Sequence, residues 1–358
     1  MSVYDAEILA DSIDNRGNRL ITVKQTYPRV IHSENMTHRV FSRNAASTRA
    51  IPLLTQIRNL LDNPFIPERF GVNQPGMQSF SHLDGLKHNE AVAVWLAGRD
   101  RALTTTLELI LGRAVMKELF RYDPAVEYIA DAELRTRLSE LAELVPKSAD
   151  AIDLSETSML NVHKQLAGRG LESYMWMTVI VTATEWDNYF ALRDHEDAQG
   201  EIATIARMTR VAVEDSIPNE LQPGEWHLPL VTEAERAEYP VDTCIKMSGA
   251  RCAAVSYRRE LSRNAERELQ RYTDLVQGGH MSPLEHQATP FDLNEWAIRD
   301  SLVKQAERMA RVAFMTEHDR HVLVEELMFK GPLRGWTSHR KTLAGEDNFA
   351  QLLQKGAS

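Results

Sequence analysis

Residues 174–193 read YMWMTVIVTATEWDNYFALR, and a change of rhythm inside them decides the fold class. Residues 174–183 are dense in Val, Ile, Thr and aromatic side chains. These suit a pleated surface covered on both faces, so the stretch predicts a buried strand. From Thr184 or Glu185 the apolar positions take a helical period, and a short helix is expected through Arg193. A strand feeding straight into a helix puts the chain among proteins that mix the two. Working outward, NRLITVKQTY (18–27) alternates as a second strand, and 198–214 predicts a helix with Ile202, Ile205 and Val211 inward.

On the N-terminal side, 62–88 is rich in Pro, Gly, Asn and Ser and reads as a long loop. From 89 to 120, Val92, Trp95, Leu96, Leu103, Leu107 and Ile110 recur at helical spacings. Residues 131–145 predict another helix, with Leu134, Leu138, Leu141 and Val145 on one face. On the C-terminal side, 244–257 reads as extended. Residues 258–277 read as a helix with Leu261, Ala265, Leu269, Tyr272 and Val276 inward and a solvated Arg/Glu face. Helix is expected again over 295–328, and loop after Gly331. The sum is an α+β (or α/β) protein with more helix than strand. No shift of composition marks a linker, so 1–358 reads as a single domain.

Of 358 residues, 43% are hydrophobic and 26% charged, which is ample for a packed core and excludes a disordered chain. A net charge of −10 argues against coating a nucleic-acid polymer, which needs a basic surface. Two cysteines, Cys244 and Cys252, exclude a disulfide framework and suit a reducing, cytoplasmic setting, where they serve as small buried hydrophobes. The first residues carry acids and no apolar run, so no signal peptide is expected. No stretch approaches the roughly 20 apolar residues that span a bilayer, so no membrane partner is expected.

The familiar signatures of NTPases, dinucleotide dehydrogenases, zincins and α/β-hydrolases are missing. What stands out is THRVFSRNAASTR (37–49), which crowds His38, Arg39, Ser42, Arg43, Asn44, Ser47 and Arg49 together. Arginine offers a planar fork of donors to a phosphate, and Ser and Asn add neutral donors. The same residues also suit a solvated helix start. GHMSPLEH (279–286) sets His280, Ser282, Glu285 and His286 around a proline; it fits no common zinc spacing and also reads as a helix start capped by Ser282. His318 and His321 are a weak metal candidate on an expected helix face. Asn188 and Arg193 fall near a helix end, where a cation is favourable without any function.

Together these segments resemble the flavin-dependent thymidylate synthases. That family's signature is R-H-R, seven residues, then Ser, often continuing as S-x-R-Y. Here Thr37-His38-Arg39 is followed at that spacing by Ser47, Thr48, Arg49 and Ala50. His38, Arg39, Ser42, Asn44, Ser47 and Arg49 match; Thr37 stands for Arg, Ala50 for Tyr, and Ala45 where many members carry an acid. VHKQLAGRGLESYMW (162–176), ATEWDNYFALRDHEDAQGEI (183–202) and CAAVSY with the later GGHMSPLEH (252–286) resemble three further blocks. Their order is that of a permuted, longer branch found in some bacteria and phages.

The resemblance implies a thymidylate synthase-complementing-protein-like fold, a central sheet with flanking helices, with 112–158 and 291–330 as helical insertions. It implies one-carbon transfer from methylenetetrahydrofolate to C5 of dUMP, with reduced FAD giving hydride and NADPH reducing the flavin. Arg39, Ser47, Arg49, Arg169 and Arg193 would bind substrate, Ser47 and Arg193 acting in catalysis. His38, Arg39, Asn188, Ser256, His280, Ser282 and Glu285 would bind FAD. No metal is implied. Members are homotetramers whose sites mix residues of several subunits. The alternative within the family is a hydroxymethylase acting on dUMP or dCMP for hypermodified DNA, water capturing the exocyclic methylene in place of hydride. Outside it stand a non-catalytic helical interaction protein and a metal hydrolase.

Overall fold

The computed structural model describes residues 3–76, 79–122, 127–145, 159–254, 264–292 and 333–343. Strands β1 (Asp5–Asp14) and β2 (Arg19–Pro28) form an antiparallel hairpin. Its turn is tied by the Asp14 carboxylate, which accepts from the backbone N–H of Arg16 at 2.9 Å and of Asn18 at 2.8 Å. Gly17 takes the left-handed conformation, φ +87°, that the turn requires. Strand β4 (Trp176–Ala183) pairs antiparallel with the other side of β2, Ile21 opposite Ala183 and Pro28 opposite Trp176. Strand β3 (Ser42–Ala45) runs antiparallel on β4, and β5 (Asn219–Leu221) runs parallel to β1. The order is β3-β4-β2-β1-β5, so β2 and β4 lie inside and the four-residue β3 is an edge.

Opposed residues of a ladder share a face, which divides the sheet sharply. One face carries Ile21, Val23, Tyr27, Val179, Val181 and Ala183, all buried, against α6 (Trp186–Arg193) and α7 (Gly200–Glu214). Helix α7 buries Ile202, Ile205, Ala206, Thr209 and Val213. Val211, expected inward, is 45% exposed, because the stripe through 202, 205/206, 209 and 213 leaves 211 on the opposite side. The other face carries Leu20, Thr22, Thr182 and Ser42, and it meets a 3-10 turn (Ser282–Glu285) and a small sheet of β6 (Ala288–Pro290) and β7 (Trp336–Ser338).

The short helix α1 (His32–Asn35) follows β2, and a second core forms between α2 (Leu53–Asp62), α3 (Gly85–Phe120), α4 (Asp131–Leu144), α5 (Lys164–Ala167) and the 3-10 turn Gly168–Tyr174. The Leu stripes expected there are its interior: Leu103, Leu107, Leu134 and Leu141 are fully buried. Helix α3 begins four residues before the expected start, at Gly85, and breaks at Gly112, φ +77°. That break falls where the first insertion was expected to begin. Most of the second insertion, 293–330, lies outside the described residues, as do His318 and His321.

One expected element is of the wrong type. Residues 244–257 were expected to be extended, but Val241–Cys252 form a helix following Pro240, with Asp242 in its first turn. The helix is buried nearly all round, from Cys244 to Cys252, and so shows no stripe for the sequence to reveal. Gly249 permits the packing: a Cβ there would lie 2.5 Å from a Leu284 methyl. The helix over Ala265–Gln277 does not present a wholly solvated polar face either. Its Glu268 is buried, bonded to Arg251 at 2.9 and 3.0 Å. Among the described residues no helix is long and apolar enough to cross a membrane.

Candidate functional site

The expected site residues gather around edge strand β3, divided between the two faces and the rim. On the α6 face, the loop leading into β3 buries the His38 ring, stacked on Phe41 and edge-on to Tyr189 of α6. One turn beyond Tyr189, Arg193 reaches the same loop. Its Nε donates to His38 Nε2 at 3.0 Å, Nη1 to Glu34 Oε1 at 2.7 Å and Nη2 to the Thr37 hydroxyl at 3.0 Å. Burial, then the charges of Arg193 and Arg43, lowers the His38 pKa to about 4, so the ring is neutral at physiological pH. Sequence-distant His38 and Arg193 are thus direct partners, and Thr37, a departure from the family pattern, is part of the same cluster. Arg43 is a structural residue: it donates to the carbonyls of Asn35 at 2.7 Å and Phe41 at 3.2 Å and lies over the Phe41 ring.

On the opposite face, the GHMSPLEH turn packs on the same strands. His286 is fully buried, its Nδ1 2.7 Å from the Thr182 hydroxyl. Thr182 bonds Thr22 across the β2–β4 ladder at 2.7 Å, Thr22 bonds His227 Nε2 at 2.7 Å, and His227 Nδ1 meets Ser12 at 2.9 Å. Five buried side chains form one chain. Each hydroxyl has one proton, and when both threonine protons are used within the chain all its bonds point one way and both histidines take the same tautomer. His286 Nε2 is buried without a partner among the described residues. A proton there would be an orphan donor, so Nδ1–H donating to Thr182 is the cheaper arrangement. Burial lowers both pKa values to about 3. His280 and Ser282 are exposed on this turn, and Glu285 pairs with Arg340 at 2.5 Å. Ser282 does not cap the turn: the N-cap position is Met281, with no side-chain cap bond, and Pro283 sits in its first residues. Asn44 donates to the Cys252 carbonyl, tying β3 to the buried helix behind it.

The rim is open. Arg39, Ser47 and Arg49 are exposed beside β3, and the Ser47 hydroxyl accepts from the backbone N–H of Arg49 at 3.3 Å. Thr48, buried between them, donates to Glu172 at 3.0 Å. Glu172 also takes Arg169 at 2.9 Å and Arg29 at 3.2 Å, so one carboxylate serves two guanidinium groups and the excess charge is positive. Arg29 and Thr48 help line a cavity of about 860 Å³ with Lys24, Thr26, Trp176 and Thr178, a size that suits a small ligand. Asn188 is exposed on α6 and Ser256 lies outside the described residues. Within the chain, then, His38 and Arg193 are joined, Arg169 is tied to the 47–49 segment through Glu172, and the turn at 280–286 stands across the sheet.

Glu34, Glu172 and His227 were missed by sequence reasoning. Glu172 had a local signal, lying three residues after Arg169 on a helical turn. Glu34 and His227 had none, since their partners are distant in the chain. Among the described residues no three His, Cys, Asp or Glu side chains are grouped to hold a metal. Both cysteines are buried and their thiol pKa values are raised, Cys252 to about 12, so neither is an activated nucleophile. Neither a family model nor a curated protein matches this chain.

Proposed function

We propose that the chain is a flavin-dependent enzyme that transfers a one-carbon unit from methylenetetrahydrofolate to C5 of dUMP. One observation carries the reading. Residues from segments 37–49, 162–176, 183–202 and 252–286, far apart in sequence and resembling four blocks of that family, pack around edge strand β3 and the loops that flank it. The donor set fits an anionic, acceptor-rich ligand: Arg39 and Arg49 are exposed at the rim, and Arg29 and Arg169 share one carboxylate. FAD and a nucleotide both carry such groups.

On this reading Arg39, Arg49 and Arg169 would hold phosphate oxygens, Ser47 would donate to the nucleotide, and Asn188, His280 and Ser282 would contact flavin. Arg193 would place positive charge where negative charge develops on the uracil as C5 becomes nucleophilic. Bound flavin, once reduced by NADPH, would supply the hydride that turns the transferred carbon into a methyl group. The thiol at Cys252 has no part in this scheme. The hydroxymethylase reading is favoured by one feature, Thr37, because the residue replacing the family's Arg is bonded directly to Arg193.

Product mass tests both. The purified chain is incubated with FAD, NADPH, methylenetetrahydrofolate and either dUMP or dCMP. A methyl product from dUMP is expected; a hydroxymethyl product moves the protein to nucleotide hypermodification; no nucleotide product in either incubation refutes the reading. Arg193→Lys keeps the charge but loses the fork that meets three partners, so turnover at saturating FAD should fall by about 100-fold or more.

A further inference from the structure

Glu34 belongs to none of the segments that point to a function, yet it governs the best-defined cluster among them. It lies in the short helical turn His32–Asn35, and its carboxylate holds Arg193 Nη1 at 2.7 Å. Thr37 completes the hold: its hydroxyl accepts from Nη2 and donates to the Glu34 carbonyl at 2.7 Å. With two prongs fixed, the planar guanidinium must aim Nε at His38 Nε2. A ring nitrogen that accepts from a guanidinium carries no proton, and a neutral imidazole has one, so the proton is on Nδ1. No described residue bonds Nδ1. The Glu34 and Arg193 side chains are 33% and 18% exposed, so the pair contributes little to stability; its larger effect is on orientation.

We propose that Glu34 is a positioning residue which, through Arg193, fixes His38 in the Nδ1–H tautomer, so that His38 offers a donor and meets an acceptor oxygen, phosphoryl or carbonyl, on the ligand. The ligand half of this statement rests on the reading of His38 and Arg193 as part of the nucleotide or flavin site. The tautomer half rests on geometry alone.

The experiment is a long-range proton–nitrogen NMR spectrum of the full chain labelled at histidine, near neutral pH and without ligand, with His38 assigned by the peaks lost in His38→Gln. The wild type should show one tautomer at His38, protonated at Nδ1. Glu34→Gln, which retains an acceptor oxygen, should keep that pattern. Glu34→Ala should give averaged nitrogen shifts, and Arg193→Lys, which removes the Nε donor, should do so independently if Glu34→Ala proves unstable. Protonation at Nε2 in the wild type, or an unchanged His38 in folded Glu34→Ala, would overturn the proposal, and so would an unchanged His38 in Arg193→Lys. FAD affinity is read on the same samples. Glu34→Ala should weaken it about tenfold, the scale of one misdirected hydrogen bond. Unchanged affinity alongside averaged shifts would overturn the positioning role. A wild type with the expected tautomer and no FAD uptake would instead overturn the flavin reading and leave the role of Glu34 standing.

Discussion

The two faces of the central sheet are built from different chemistry on the same strands. Toward α6 and α7, β2 and β4 present Ile21, Val23, Tyr27, Val179 and Val181, an apolar surface held by burial. Toward the 282–285 turn they present Thr22 and Thr182, bonded to each other and to His227 and His286, a surface held by hydrogen bonds. The first face tolerates small adjustments of shape but loses stability with volume. The second has little volume to lose and depends on every member of a chain being present. Both leave the edge strand β3 fixed in place, and the exposed arginines beside it belong to neither.

The sharpest break in that comparison is Ile21→Ala, which opens a cavity on the apolar face and should cost about 2–5 kcal/mol, read from the urea midpoint. On the polar face the corresponding probe is pH. His227 and His286 have folded pKa values of about 3, below the usual 6.5, so the unfolded chain binds more protons as pH falls. Their contribution is intact above about pH 6.5 and is lost progressively toward pH 3, each histidine removing about 1.4 kcal/mol per pH unit in that window. Unfolding midpoints measured between pH 7 and 5 should therefore fall, with a shallower slope in His286→Gln; a flat profile would mean that the two rings are not buried neutral. Thr182→Val keeps shape and deletes the hydroxyl that two partners use, and should cost about 1–3 kcal/mol by thermal melting. At the rim, Arg39→Ala with Arg49→Ala should change stability by no more than about 0.5 kcal/mol, since both side chains are exposed.

The same contrast explains what could be read before the structure. The apolar face was legible: YMWMTVIVTA and NRLITVKQTY predicted β4 and β2 within two residues of their bounds. Helices with a stripe, such as α4, were equally clear. The polar face was not, because a buried threonine has the same letter as an exposed one and its partner at His227 lies about two hundred positions away. Helix Val241–Cys252 departs from its reading for a related reason, being buried nearly all round from Cys244 to Cys252 and therefore without a clear period. Strand β1 was not anticipated: DAEILADSID carries four acidic residues, a poor strand composition, and two of them, Asp11 and Asp14, are buried only through Arg19, Arg16 and Asn18. The candidate site was legible in its residue types and not in its grouping. The family resemblance singled out His38 and Arg193, and only the fold joins them.

The edge of β3 is the proposed site for a phosphate-bearing ligand, and equilibrium titration of FAD onto the purified chain tests that proposal most directly. Saturable binding of one FAD per chain is expected, weakened at least about tenfold in the Arg39→Ala/Arg49→Ala double variant while its melting temperature stays put. Absence of binding to the wild type, or equal binding to the double variant, would contradict the assignment.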